Sequence, residues 1–509
     1  MLDKLASDLL FISPLLALTL GTLLMLVYEV FIKYPWKKGG FTIVVLLTAF
    51  VINVLLCYRG LYPQTGTAFY GQLYVDKFSA YINSFILFIA ALVAMVSAGQ
   101  LDNEKVHAHG EYYALFLMSV IGALIFNSAA EFITLFLGLE IMSMALYCLC
   151  GSALGLRTSS ESALKYFLLG SFSSAFILYG IALLYGLTGS TSYLEVAEAL
   201  SQINGTLVSV AVGLVIVGLL FKIAAAPFHF WAPDVYQGAP TSVTVFMASV
   251  IKASAVVVTL RVLWLVFPDS LEVWSGAIWT LAILTMTVGN LTALRQRSIK
   301  RMLAYSSIAH AGYMMVALLV ANTEFGGASS IVFYLVAYSF VTIGSLAVVL
   351  AVSAPYIGTP HSDDISRFNS LAKRQPVLAA LMALFMLSLA GVPPGMAGLL
   401  AKFFVFSAVV KGGFIGIAII GMLNSAVSAY YYLRVIVAMY FMEPKAGETY
   451  SKPITTVPMY AAIAVCALVV VLAGLFPSTI YDNAKSVVDP VFGGIKKIAY
   501  LNPDTIIGK

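Results

Sequence analysis

The chain has 509 residues, of which 61% are hydrophobic and 10% charged, with 28 Lys/Arg against 23 Asp/Glu and a formal charge of +5; its mean hydropathy is +0.96. A soluble chain of this size needs about a quarter of its residues charged to cover its surface, so the composition predicts an all-α polytopic membrane protein and excludes soluble enzyme folds, disorder and coiled coil. The four cysteines, Cys57, Cys148, Cys150 and Cys466, show no CxxC or zinc spacing and read as small hydrophobes rather than a disulfide scaffold.

A helix crosses the hydrocarbon with about 20 apolar residues, because its backbone groups must be satisfied internally where there is no water. Fourteen such runs follow one another: 10–32, 41–58, 78–99, 112–128, 131–151, 162–187, 206–232, 239–266, 274–293, 302–321, 329–353, 376–410, 412–433 and 456–476. The first is too long for a cleaved signal peptide and follows Asp3, Lys4 and Asp8, so it reads as a retained span. The seventh contains Pro227. The twelfth would be about 52 Å long as a straight helix against a core of about 30 Å, and it contains Val392-Pro393-Pro394. Both are predicted to be broken, because proline removes a backbone donor and frees a carbonyl.

Loops after odd-numbered runs hold fifteen of the 28 basic residues, from Lys33 to Lys452, while the other side with both tails holds eight. By the positive-inside rule the odd loops are cytoplasmic and both termini face outward. The positive charge is therefore a topology signal, and its spread over short loops leaves no groove-sized patch for nucleic acid.

Five basic residues remain inside runs: Lys165, Lys222, Lys252, Arg261 and Lys402, with Glu140 as their acidic counterpart in the fifth. Each costs roughly 2.5–3.5 kcal/mol at the bilayer centre, so such residues normally mark ion or proton routes. The bland readings differ by position. Arg261 lies near the outer end of its run and can snorkel to the interface; Lys165 lies close enough to the cytoplasmic end for either reading. Lys252 is thirteen residues into the eighth run, too deep for easy escape, and Glu140 has only a structural ion pair as competitor. Lys222 and Lys402 each sit beside a proline break, where irregular backbone is tolerated only if it is buried or lines a wet cavity. Their separation of 180 residues suits a duplicated unit, as in transporters built from inverted repeats.

His229 would share a face with Lys222 if the seventh helix continued past Pro227, and His310 lies in the tenth run; for each, a proton-carrying role and a satisfied polar residue stay open. His107, His109 and His361 read as solvated loop residues, and the two in-membrane histidines lack the second pair that a bis-histidine haem would need. A desolvated lysine can release a proton near neutral pH, and a nearby carboxylate recaptures it. Helix axes about 8–10 Å apart put lysines on neighbouring helices beyond hydrogen-bond reach, so hydroxyls such as Ser249, Ser254 and Tyr305 or water must bridge them. Neither a phosphate-binding Gly-Lys loop, a dinucleotide fingerprint nor an iron–sulfur cysteine pattern is present to supply energy.

Three segments, Lys222-Ile-Ala-Ala-Ala-Pro-Phe-His-Phe-Trp-Ala-Pro-Asp-Val-Tyr-Gln-Gly-Ala-Pro-Thr241, Met247-Ala-Ser-Val-Ile-Lys252 and Arg297-Ser-Ile-Lys-Arg-Met-Leu-Ala-Tyr-Ser-Ser-Ile-Ala-His-Ala-Gly-Tyr313, closely resemble the subunit N family of the type I NADH:quinone oxidoreductases, respiratory complex I. The similarity extends over all fourteen runs, and subunits L and M and the multisubunit sodium/proton antiporters share the broader plan. The resemblance implies a three-helix segment at 1–111, two inverted five-helix repeats at 112–266 and 267–435, and a C-terminal helix with an outer tail at 436–509. It places the family's glutamate at Glu140 and its lysines at Lys222, Lys252 and Lys402, with Lys165 matching a further one. A lysine at 402 fits subunit N, since subunit M carries glutamate there; one departure is Gly398-Leu-Leu-Ala-Lys402 where the family often has Gly-Phe-x-Gly-Lys. No cofactor is implied in this chain, with FMN, the iron–sulfur clusters and quinone reduction in partner subunits. The partners implied are the antiporter-like subunit M and small membrane subunits, in a bacterial cytoplasmic (inner) membrane. A sodium/proton antiporter subunit and a purely structural spacer with paired buried charges are the competing readings.

Overall fold

A computed structural model describes residues 2–31, 34–107, 109–203, 205–268, 270–321, 324–359, 361–444 and 450–492. The chain opens with α1 (Leu2–Phe11), α2 (Ser13–Phe31) and α3 (Pro35–Tyr58), then a hairpin of two-residue strands, β1 (Thr67–Ala68) and β2 (Leu73–Tyr74), and α4 (Lys77–Ser97). Next come α5 (His109–Ser128), α6 (Phe132–Cys150), α7 (Arg157–Thr188), α8 (Tyr193–Leu200), α9 (Thr206–Lys222) and α10 (Trp231–Gly238). A continuous helical rod follows, in which α11 (Thr241–Phe246) and α12 (Lys252–Arg261) are each succeeded by a π-helical stretch, 247–251 and 262–266. The remainder is α13 (Leu271–Leu294), α14 (Ile299–Leu318), α15 (Gly327–Ser353), the short α16 (Leu371–Arg374), α17 (Pro376–Ala390), α18 (Met396–Lys411), α19 (Ile415–Phe441), α20 (Val457–Leu475) and α21 (Pro477–Phe492).

Eleven helices among the described residues are long and apolar enough to cross a membrane. The seventh apolar run is divided between α9 and α10, and the twelfth between α17 and α18. Helix ends overshoot several runs. α7 starts at Arg157 rather than 162, and α19 runs on to Phe441 past Arg434, which donates to the Leu294 and Gln296 carbonyls at 3.0 and 2.5 Å. Lys33 and Lys445 of the odd loops, and the outer tail expected beyond Phe492 with Lys496, Lys497 and Lys509, lie outside the described residues.

Burial sorts the helices. The 241–266 rod and the whole of α15 are enclosed on every side, so they form the axis of the molecule. α2 and α3 turn Leu20, Leu23, Val44 and Val51 outward, an apolar surface that suits lipid or another subunit. Loops segregate into two ends. Leu154 N donates to Lys105 O (3.0 Å), Ile299 N to Asp363 O (2.8 Å) and the Asn369 side chain to Glu443 O (3.1 Å), which gathers the loops after odd-numbered runs. At the opposite end Ala130 N donates to Gln72 O (2.9 Å) and Phe132 N to Thr191 O (3.0 Å).

Arg261 corrects its sequence reading: it does not snorkel. It is buried, makes two hydrogen bonds to the Asp76 carboxylate (3.1 and 3.3 Å), donates to Ser79 Oγ (2.9 Å) and lies over the Tyr74 and Phe78 rings. Asp76 also caps α4, accepting Ser79 N at 2.6 Å, so one carboxylate closes a helix end and neutralises a buried cation.

Candidate functional site

Both interrupted helices stop in the same way. In α9, Ala225 N reaches Leu220 O and Ala224 N reaches Phe221 O, both at 3.0 Å, around Ala224 at φ 59°. In α17, Val392 N reaches Leu387 O at 3.0 Å and Gly391 N reaches Ser388 O at 3.1 Å, around Gly391 at φ 78°. This is the Schellman arrangement, whose left-handed residue is usually glycine; alanine there stores strain of about 1–2 kcal/mol. The helix therefore ends at Lys222, and His229 does not share a helical face with it. Thr285 Oγ1 supports the break by accepting Ala226 N at 2.9 Å, while buried His229 Nδ1 has no hydrogen-bond partner among the described residues.

Lys222 sits at the C-terminal end of α9, where the helix dipole favours a cation. Its Nζ donates to Ser143 Oγ at 3.0 Å and lies 3.5 Å from Tyr147 Oη, with the Tyr147, Tyr166 and Phe221 rings at 5.8–5.9 Å. Glu140 is one turn before Ser143 on α6 and accepts from Ser174 Oγ at 2.5 Å. Glu140 and the Ser143 partner of Lys222 thus lie on one face of α6, and among the described residues no ion pair within 4 Å joins Glu140 to Lys222.

Lys402, inside α18, reaches back across its break. It donates to the Leu389 and Ala390 carbonyls at 2.9 Å each and to Ser425 Oγ at 2.8 Å. The two carbonyls belong to the last turn of α17, so the ammonium satisfies groups that the helix end leaves open. Gly398 allows this approach: a Cβ there would fall 1.7 Å from Ser388 O.

Between the breaks lies the enclosed axis. Lys252 Nζ donates to Ser307 O at 2.7 Å and makes a short contact with Ser307 Oγ, to which the Tyr236 and Tyr338 hydroxyls are also directed. His310 spends both ring nitrogens on phenols, Nδ1 on Tyr334 (2.6 Å) and Nε2 on Tyr432 (3.0 Å), and Tyr432 pairs closely with Ser306. Its ring is 5.1 Å from Tyr338 and 5.7 Å from Tyr313, and Lys402 Nζ is 5.5 Å from the Tyr313 ring. Tyr313 accepts from Asn290 at 3.0 Å, and Asn290 accepts from Tyr431 at 2.9 Å. Phenols and serines therefore line the way from Lys252 past His310 to Lys402, with ring contacts rather than hydrogen bonds at the Tyr313 step. The bridging hydroxyls are not Ser249, which donates to Val245 O at 2.6 Å, nor Ser254, whose hydroxyl has no partner among the described residues, nor Tyr305, which lies against Arg301.

Lys165 stands apart. Its side chain is 41% exposed and pairs with Glu161 (2.7 Å) and with Asp234 of α10 (2.8 Å) at a cavity of about 610 Å³ on the basic-loop end. Asp234 also receives Arg301 at 2.7 Å. Burial by itself would raise the Asp234 carboxyl, but the two cations hold it below the usual carboxylate range. Glu104, absent from the sequence reading, is buried in the same wall and accepts Ser242 N at 3.1 Å where α11 starts; burial pushes its carboxyl up against the opposing effects of Ser242 and Lys300. Among the described residues no cluster of metal-ligating side chains occurs.

Residues 129–428 match the family model described as NADH:quinone oxidoreductase/Mrp antiporter, TM. The NADH-quinone oxidoreductase subunit N of Trichlorobacter lovleyi is 41% identical over 94% of this chain and 96% of its own length. The chain belongs to the NADH-quinone oxidoreductase subunit N family. Subunit N of Mycobacterium tuberculosis is 41% identical over 74% of this chain and 70% of its own length. Respiratory complex I from Thermus thermophilus contains a chain superposing with TM-score 0.77 and 32% identity, over 92% of this chain and 98% of that one. A chain of the Mrp complex from Dietzia superposes with TM-score 0.80 at 18% identity, over 96% and 98%, which shows the fold alone. In subunit N terms, the sequence signature from Lys222 to Thr241 covers the whole first break and α10, the part of the fold that carries two of the site's helix ends.

Proposed function

We propose that this chain is a proton-translocating, non-redox subunit of an NADH:quinone oxidoreductase, with FMN, iron–sulfur clusters and quinone in partner subunits. The observation that carries this reading is the row of buried lysines: Lys222, Lys252 and Lys402 are each satisfied by hydroxyls or carbonyls rather than by a carboxylate, two of them at helix breaks. A cation without a fixed counter-charge can change protonation without stranding a partner. Glu140 tunes Lys222, Lys252 and His310 pass protons along the enclosed axis, and Lys402 handles exchange toward the outer side. His229, beside the first break, and Lys165, at the cavity, are accessory members on the cytoplasmic side.

The eleven long spans, α14 and the two interrupted pairs make fourteen crossings, grouped as 1–111, inverted repeats 112–266 and 267–435, and 436–509, with both termini outside the cytoplasmic (inner) membrane. Subunit M and small membrane subunits are the neighbours. Moving a proton against 100 mV takes about 2.3 kcal/mol, which redox chemistry elsewhere in the assembly supplies through contacts. Lys222→Ala or Glu140→Ala in the assembled complex is expected to lower pumping and quinone reduction together; intact pumping with either change refutes the assigned roles. The family model covers Mrp antiporters as well as NADH:quinone oxidoreductases, which keeps a sodium/proton antiporter as the second reading, and copurifying flavin and iron–sulfur subunits decide against it.

A further inference from the structure

The cavity of about 610 Å³ is lined by Lys165, Asp234 and Arg301 but not by Lys222. Two layers of contact between α7 and α10 separate them. On the inner layer, Tyr166 and Trp231 stack with ring centroids 4.6 Å apart and planes at 15°. Trp231 Nε1 donates to Phe221 O at 3.1 Å, and the Tyr166 ring lies 5.9 Å from Lys222 Nζ, so the stack forms the wall of the lysine's chamber. On the outer layer, one residue before Tyr166 and three after Trp231, Lys165 pairs with Asp234, whose second oxygen holds Arg301 of α14. At the far end of α10 a Cβ on Gly238 would fall 2.0 Å from Ser162 Oγ and 2.6 Å from Thr158 O, so α10 is pressed directly against α7.

We propose that Asp234 is a positioning residue that latches a gate: the Tyr166–Trp231 stack bars water from reaching Lys222, and it parts when the Asp234 carboxylate lets go of Lys165 or Arg301. This rests on Lys222 being a proton-exchanging group. The physical basis is a contrast between two ion pairs in one molecule. Asp76–Arg261 is enclosed, with side chains 2–3% exposed, and releasing it strands charge in apolar surroundings. The Asp234 pairs are 32–41% exposed beside a wet cavity, so water replaces either partner at little cost. The backbone is arranged for such a movement: α10 is joined to α9 by the non-helical segment 223–230, and nothing helical must break for α10 to tilt. α10 also carries Tyr236, directed at the Ser307 side chain that serves Lys252, so a tilt reaches both lysines.

The test is hydrogen–deuterium exchange of the assembled complex in membranes, read with the ratio of protons pumped to electrons transferred. Asp234→Asn is expected to speed exchange at 223–231 about tenfold, to lower the pumping ratio, and to leave α15 and the second break at 387–396 protected. Trp231→Ala is expected to speed exchange at the same segment with the latch intact, and Asp234→Glu to restore protection. Exchange unchanged in Asp234→Asn, or raised uniformly through the chain, overturns the gate and leaves Asp234 a plain structural tether. If Lys222→Ala stops pumping while Asp234→Asn exchanges normally, the gate alone fails; if Lys222→Ala pumps normally, the proton-exchanging role of Lys222 fails first.

Discussion

The two interrupted helices end in the same backbone motif and each sets a lysine at the interruption, yet they treat it differently. Lys402 is held by two backbone carbonyls and one hydroxyl, all at 2.8–2.9 Å. Lys222 has one hydroxyl at 3.0 Å, a second at 3.5 Å, and aromatic faces around it. Carbonyls can only accept, so the second cradle always takes two donors from Lys402 and leaves Ser425 alone to answer a change of protonation; in the first cradle both hydroxyls accept from an ammonium or donate to an amine. The first break is the adaptable end of the path and the second is the rigid one.

The largest expected effect tests that rigidity. Gly398→Ala places a methyl into Ser388 O, with no flexible side chain to move aside, and is expected to cost at least the 1–3 kcal/mol typical of overpacking; loss of assembled complex on native gels checks it. The hydroxyls come next. Ser143→Ala removes the shorter of the two hydroxyl contacts of Lys222 and is expected to lower pumping about fivefold, for a hydrogen bond worth about 1 kcal/mol, whereas Ser425→Ala leaves Lys402 its two carbonyls and costs less than half as much in free energy. Equal effects in pumping assays would erase the distinction.

Much of this was written in the sequence, for reasons that also explain the gaps. Pro227 and Pro393-Pro394 inside long apolar runs announce both interruptions, because proline cannot continue a helix and lipid cannot satisfy the freed groups. The depth of Lys252 and its isolation from interfacial water follow from counting along one helix. What counting cannot supply is the partner across a helix interface. Ser143 is 79 residues from Lys222, Ser307 is 55 from Lys252 and Asp76 is 185 from Arg261. Proximity in sequence offers Ser249, Ser254 and Tyr305, but Ser249 bonds its own helix, Ser254 has no partner among the described residues and Tyr305 lies against Arg301. Glu104 escaped notice since a carboxylate in a loop looks solvated until Ser242 and the start of α11 close over it.

The left-handed residues offer a smaller contrast. Ala224→Gly is expected to relieve, and Gly391→Ala to impose, about 1 kcal/mol of backbone strain, seen as slower and faster local amide exchange at the respective breaks. The smallest effect concerns pH. Asp234 is held below the usual carboxylate pKa of about 3.9 by its two cations, so its contribution is present above that value and is lost only as pH falls through the lower native one. Pumping between about pH 6 and 8 is expected to keep the same pH midpoint in Asp234→Asn as in the parent.

The most direct measurement is the proton-to-electron ratio of the assembled complex carrying Lys222→Arg. Arginine keeps the charge and the reach but cannot be deprotonated in a protein. A lysine that releases and recaptures protons predicts a fall as deep as that of Lys222→Ala, whereas a ratio equal to the parent's would show that a fixed positive charge is all this position needs.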